Sequence, residues 1–168
     1  MSGTTIEKRV VADAALALFD EAHVGPAATS TWFADNDPRG GLLGTLEGID
    51  AARASAPLCA GDPISAASHA NHVRFTLELA NRAAKGENPY ADANWARSWD
   101  TRTVNESEWK ALLSGLRTEY EAFRNVIASE KSWDDAEFMT GLLGLVAHGA
   151  WHLGAVRQGL GLVKAPER

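Results

Sequence analysis

The chain reads as an all-α protein, several helices packed as a bundle with crossover connections, and three observations carry that expectation. Apolar residues recur at three- and four-residue spacing through most of the 168 residues. No β-branched alternating run, and no Asn-Gly turn between two such runs, offers a strand. The helical stretches are separated by Gly, Pro and capping residues, and some connections are too long for simple turns.

Taken in order, Thr5 to about His23 carries Ile6, Val10, Ala14, Leu18 and Phe19, with Val11, Ala15 and Ala22 widening the stripe, until Gly25-Pro26 ends it. Residues 27–41 are rich in Thr, Ser, Asp, Asn, Pro and Gly, a loop in which Trp32 and Phe33 supply something to bury. A glycine-weakened helix is expected from Gly41 to about Ser55 on Leu42, Leu43, Leu46, Ile49 and Ala52, with Pro57 as its stop. Asp62-Pro63 reads as the start of the next helix, because Asp supplies a capping acceptor and Pro has no N–H to leave unpaired; the helix should run to Lys85 and be capped by Gly86. Residues 87–103 then form a long connection whose tryptophans, Trp95 and Trp99, fold it back over the bundle end. Asn105 with Glu108 makes a capping-box start, and Trp109, Leu112, Leu113, Leu116, Tyr120, Phe123, Val126 and Ile127 trace one helical face. Ser132 or Asp134 opens the last helix, where Phe138, Leu142, Leu145, Val146, Trp151, Leu153 and Val156 surround nearly the whole circumference, so it should be the most buried. Gly141, Gly144, Gly149 and Gly154 would let neighbouring helices approach it closely.

Composition narrows the function. The length suits a single domain over residues 1–168, able to bury a core without disulfides or a structural metal. A net charge of -6 argues against a nucleic-acid or anionic-membrane surface. Cys59 is the one cysteine, so no internal disulfide exists, and the N-terminal residues show no charged-then-apolar export pattern; a cytoplasmic protein is expected. Phe138 to Val156 lacks Asp, Glu, Lys and Arg, but its two histidines and repeated glycines suit a buried helix better than a membrane span. No phosphate-binding loop is present, since Gly40-Gly41 and Gly159-Leu160-Gly161 mark only turns and close packing. The six tryptophans, without a basic groove beside them, are packing anchors, and Cys59 has no feature of an activated nucleophile.

Histidines carry the functional signal, because four of the five fall in two helical clusters roughly 80 residues apart. His148 and His152 stand four residues apart on one helix, so both imidazoles point the same way and can share an ion. A bare pair of this kind is equally served by two core histidines bonded to backbone carbonyls; the second cluster, His69 and His72, is what points to metal. A third nitrogen from there completes a face with open coordination positions, the pattern of catalytic zinc, with nickel or iron also accommodated. Helical periodicity places His69 nearer the Val73-Leu77-Ala80-Ala84 stripe than His72. His23 is expected at the surface or as a cap, and Glu21 and Asp35 could bring a carboxylate near the site.

His72-Val-Arg-Phe, the order of the helices and above all His148-Gly-Ala-Trp-His152-Leu-Gly-Ala-Val-Arg-Gln resemble the DinB-like family of metal-binding helical bundles over residues 40–162. Residues 21–26 and 31–36 look like the N-terminal extension of a subgroup. The resemblance implies an up-down four-helix bundle with a long crossover, preceded here by the extra N-terminal helix. It implies a divalent metal, Zn²⁺ or Ni²⁺, on His72, His148 and His152, with His69 as the alternate for His72. The glycine-dotted last helix and an apolar surplus on the second and third helices point to a homodimer, as similar proteins often form, and the resemblance also implies a small-molecule substrate. Similar proteins include transferases using low-molecular-weight thiols such as bacillithiol or mycothiol, and a maleylpyruvate isomerase, so thiol-dependent transfer or a hydrolase-like reaction is expected, or a scaffold without catalysis. Fold similarity alone names no substrate.

Overall fold

A computed structural model describes residues 7–27, 30–129 and 133–163. In chain order it contains α1 (Lys8–His23), α2 (Leu42–Glu47), α3 (Ala51–Ser55), strands β1 (Pro57–Cys59) and β2 (Asp62–Ser65), α4 (Ala66–Ala83), a single 3₁₀ turn at Arg97–Trp99, α5 (Glu106–Ala128) and α6 (Ala136–Gly159). The four long helices form the bundle. Both α1 and α4 pack against α5 and α6.

Cross-helix contacts set the directions. Asp20, near the end of α1, accepts from Tyr120 and Arg124 of α5, while Lys8 at its start meets Asp134 just before α6, so α1 runs antiparallel to α5. Arg74 lies over Gly115 and Asn81 donates to the Glu119 carbonyl, which makes α4 and α5 parallel. Residues 84–105 must therefore return the chain along the bundle, as the expected long crossover. On the other side His69 faces His152 and His72 faces His148, so α4 and α6 are antiparallel.

Local signals that complete themselves within a turn are found where the sequence puts them. Asn105 accepts the Glu108 N–H at 2.9 Å while Glu108 accepts the Asn105 N–H at 2.8 Å, closing the capping box, and Trp109, Leu116, Tyr120, Phe123 and Ile127 are buried below it. Gly86 follows α4 with φ +88°, a left-handed conformation that glycine adopts without strain.

Elsewhere the fold corrects the reading. The helix expected over 41–55 is two short ones, because Asp50 turns its carboxylate onto the Arg53 N–H at 2.7 Å and caps a new start after Gly48. Leu42, Leu43 and Leu46 are fully buried all the same, each adding about 1.5–3 kcal/mol, and the Trp109 indole donates to the Ile49 carbonyl behind them. Asp62-Pro63 does not start a helix: Asp62 accepts the Ile64 N–H, Gly61 turns at φ +82°, and β2 pairs antiparallel with β1. The helix begins at Ala66, where the Ser65 and Ser68 hydroxyls form the cap and donate to the Arg102 and Thr101 carbonyls of the crossover.

In α1 the buried stripe is Ala12, Ala15, Phe19 and Ala22, shifted from the expected one, with Val10 exposed; Thr5 and Ile6 lie outside the described residues. Trp32 and Phe33 are exposed, and what holds their loop is Glu21, whose buried carboxylate accepts the N–H groups of Trp32, Phe33 and Ala34 and the Thr31 hydroxyl. Burial pushes the Glu21 pKa up, but those hydrogen bonds outweigh it and hold the pKa below the ordinary value. Asp135 is the cap of α6; Asp134 precedes it and Ser132 lies outside the described residues. Nor is α6 buried all round. Leu143 and Trp151 are 59% and 60% exposed, since α1, α2 and α4 cover only one side. Of its four interior glycines only Gly149 meets a neighbouring helix; at 141, 144 and 154 a Cβ would find no atom within 4 Å. No helix among the described residues is long and apolar enough to cross a membrane.

Candidate metal centre

Two antiparallel helices bring the two histidine clusters together. His72 of α4 and His148 and His152 of α6 each turn one ring nitrogen into a common space, with those atoms within 4.8 Å of one another. His148 Nε2 sits centrally, 3.2 Å from His72 Nε2 and 3.0 Å from His152 Nε2. Two nitrogens bound to one zinc ion at about 2.1 Å lie about 3.0–3.4 Å apart, depending on the angle at the metal, so the spacing fits a shared ion.

Proton placement supports the same fit. The Ser98 hydroxyl donates its one hydrogen to the Trp95 carbonyl at 2.6 Å, so toward His72 Nδ1, also at 2.6 Å, it can only accept. His72 therefore carries its hydrogen on Nδ1 and presents the bare Nε2 lone pair to the cluster. Asn71 fixes the Ser98 segment by donating to its carbonyl at 2.8 Å. His69 Nδ1 lies 2.7 Å from His152 Nδ1, and with the shared hydrogen on His152 its Nε2 is left bare as well. The neutral rings cannot satisfy one another at the centre, because His148 has at most one Nε2 hydrogen for two facing nitrogens. A cation held there would resolve that convergence.

Burial lowers the pKa of all four rings, and their mutual proximity adds to it in three. His72 is pushed down to about 4, by burial and then by His148 and His69. His69 falls to about 4, burial leading, with Asp62 pulling the other way. His152, beneath the others, falls to about 2, and burial also lowers His148. All four are neutral at neutral pH, the form a metal requires.

Indole rings wall the site. Trp99 stacks on His72 with centroids 4.2 Å apart and meets His69 edge-on at 5.3 Å, so the crossover does fold back over the bundle. Trp151 stands edge-on to His152 at 4.7 Å. From His148 a pocket of about 980 Å³ runs between α4, α6 and the crossover, past Thr76, Ala80, Tyr90, Trp95 and Leu145.

Each expected site residue thus has a place. His72, His148 and His152 form the cluster, and His69 stands behind His152 rather than replacing His72, so both α4 histidines face inward. His23 is neither exposed nor a surface cap: it is buried, its Nδ1 bonded to the Phe19 carbonyl at 2.8 Å, and its pKa is pushed down to about 4 by burial. Glu21 and Asp35 bring no carboxylate to the cluster, Glu21 being spent on its loop and Asp35 paired with Arg157. Ser98 was not singled out from sequence, and a serine in an irregular connection carries no periodicity that could reveal it. No family model, curated protein or solved structure matches the chain.

Proposed function

We propose that the protein is a metal-dependent enzyme acting on a small molecule, with His72, His148 and His152 as ligands of Zn²⁺ or Ni²⁺. The observation that carries this reading is the convergence of three Nε2 atoms at 3.0 and 3.2 Å, with the His72 hydrogen fixed on the far nitrogen by Ser98. A bound ion would supply Lewis acidity, lowering the pKa of a coordinated water or thiol. Ser98 and His69 orient the ligand rings, Trp99 and Trp151 limit water access, and the pocket admits the substrate from the His148 side.

A thiol nucleophile fits these residues better than water. Among the described residues the cluster includes no carboxylate and its histidines are neutral, so no strong base stands beside it. A thiol, with a pKa of about 8.5, would ionise on the metal unaided; a bound water would reach about 7, but hydrolytic sites with two histidines four apart on a helix pair it with a carboxylate base, and the cluster has none. This agrees with the resemblance to DinB-like proteins and favours thiol-dependent transfer, with a low-molecular-weight thiol as co-substrate, over hydrolysis. Metal analysis tests the ligand set. His72→Ala should purify with little metal, whereas His69→Ala should retain it with affinity lowered about 10–100-fold. Full metal in His72→Ala refutes the assignment.

A scaffold without catalysis is the competing reading, favoured by the uncharged, exposed side of α6 that carries Leu143, Ala147 and Trp151. That side also suits the homodimer we propose, which sedimentation at micromolar concentration would show as a species of twice 18.0 kDa. Cobalt-substituted protein separates enzyme from scaffold: a thiol should change the visible spectrum of an open site and leave a closed one unchanged. We place this enzyme in the cytoplasm, with neither nucleic acid nor membrane as partner.

A further inference from the structure

The pocket leading from His148 has a second recognition end. Gly144, Gly141 and Glu137 follow His148 back along one side of α6 at helical spacing, so the floor extends about 16 Å from the histidines to the α6 N-terminus. At Gly141 and Gly144 a Cβ would meet nothing within 4 Å. Alanine at either position would favour the helix by about 1 kcal/mol, and no packing requirement opposes it; what glycine preserves there is the open groove. The walls are apolar, with Ala80, Ala84, Phe123, Phe138 and Leu145 along the length.

At the far end the chemistry changes. Glu87, Asp135 and Glu137 line the mouth, and among the described residues no Lys or Arg lines the pocket. Arg82 neutralises Glu87 at 2.7 Å, and Asp135 Oδ1 caps α6 by accepting the Glu137 and Phe138 N–H groups, which leaves the Glu137 carboxylate and the second Asp135 oxygen as the acidic pair. Tyr90 and Trp95, half exposed, stand beside them with ring planes 7° apart and centroids at 6.5 Å. Glu137 lies close enough to Tyr90 to help raise its phenol pKa, after burial. Aromatic faces beside carboxylates form a site for an ammonium group, attracted by both ring quadrupole and charge.

We infer that the pocket binds an elongated molecule with a metal-binding head at His148, an apolar body along Gly141 and Gly144, and a cationic amine between Tyr90, Trp95, Asp135 and Glu137. The inference rests on the metal reading above and adds the substrate class to it. A carboxylate in place of the amine would meet like charge at the rim and lose affinity.

Three matched thiols test this on cobalt-substituted protein under anaerobic conditions: 8-amino-1-octanethiol, 1-octanethiol and 8-mercaptooctanoic acid, followed by the thiolate-to-cobalt absorption band. The aminothiol should bind at least about tenfold more tightly than the acid, with octanethiol between them. In Asp135→Asn/Glu137→Gln the three affinities should converge while the band itself persists, and Gly144→Leu should weaken all three by filling the groove. Bands of equal affinity, or tightest binding by the acid, overturn the amine end and leave the metal reading standing. No band with any thiol overturns both.

Discussion

Gly149 lies between His148 and His152 on α6, and replacing it with alanine should destabilise the protein although alanine is the better helix former. The added Cβ would lie 2.8 Å from His23 Cε1, 3.1 Å from His23 Nε2 and 3.3 Å from Ala22 Cβ, the first distance shorter than real Cβ contacts allow. His23 has little room to yield. Its Nδ1 is held by the Phe19 carbonyl at 2.8 Å, and its ring is packed against Phe19 at 4.3 Å and Tyr120 at 5.6 Å. Overpacking of this kind costs about 1–3 kcal/mol, and the helix gains back up to about 1 kcal/mol from losing a glycine. The net loss is up to about 2 kcal/mol, and against Gly144→Ala, which shares the glycine gain, the whole cost of about 1–3 kcal/mol shows as a Tm lower by roughly 2–12 °C for a chain of this size. Gly144→Ala on the same helix meets no atom and should gain stability, isolating the contact from the propensity. Thermal melts of the two variants, with metal removed from both, provide the assay. A Gly149→Ala protein as stable as Gly144→Ala would refute the close approach of α1 to α6 at His23.

Three further outcomes follow from named contacts. Ser98→Ala removes the acceptor that holds the His72 hydrogen on Nδ1, and should lower metal affinity about 10–100-fold in competition with a chelator, with the far-ultraviolet spectrum unchanged. The metal-free protein should lose stability as the pH falls from 6.5 towards 4: His23, His69 and His72 have folded pKa values of about 4, below their ordinary 6.5, so the unfolded chain binds more protons across that window. Denaturant midpoints that stay level from pH 7 to 5 would contradict their burial. Glu21→Ala removes the oxygen that accepts the Trp32, Phe33 and Ala34 N–H groups and should cost about 2–3 kcal/mol, detected as faster proteolysis between residues 27 and 37.

What could be read from the chain was what a single helix completes within itself. The capping box of α5 and its apolar stripe involve residues three and four apart, so they were legible, and so was the shared direction of His148 and His152. The hairpin at 57–65 was hidden because Asp62-Pro63 suits a helix start as well as a strand following a tight glycine turn, and pairing with β1 selects the strand. The apolar sequence of α6 implied burial on every side, yet only the helices that meet it determine which residues are covered; Trp151 and Leu143 fall on the uncovered side.

The candidate metal centre divides along the same line. Residue type and spacing nominated His72, His148, His152 and His69 as nitrogen donors, but periodicity placed His69 ahead of His72, and only the resemblance put His72 first. The antiparallel register of α4 on α6 sets His72 opposite His148 and His69 opposite His152, giving the two α4 histidines different positions. Ser98, Trp99 and the burial of His23 depend wholly on tertiary contacts, since each meets its partner only once the crossover has returned along the bundle or α1 has closed against Gly149. Periodicity specifies which side of a helix is apolar, whereas the register between two helices is set by packing over their whole length, and that packing decides which nitrogens converge.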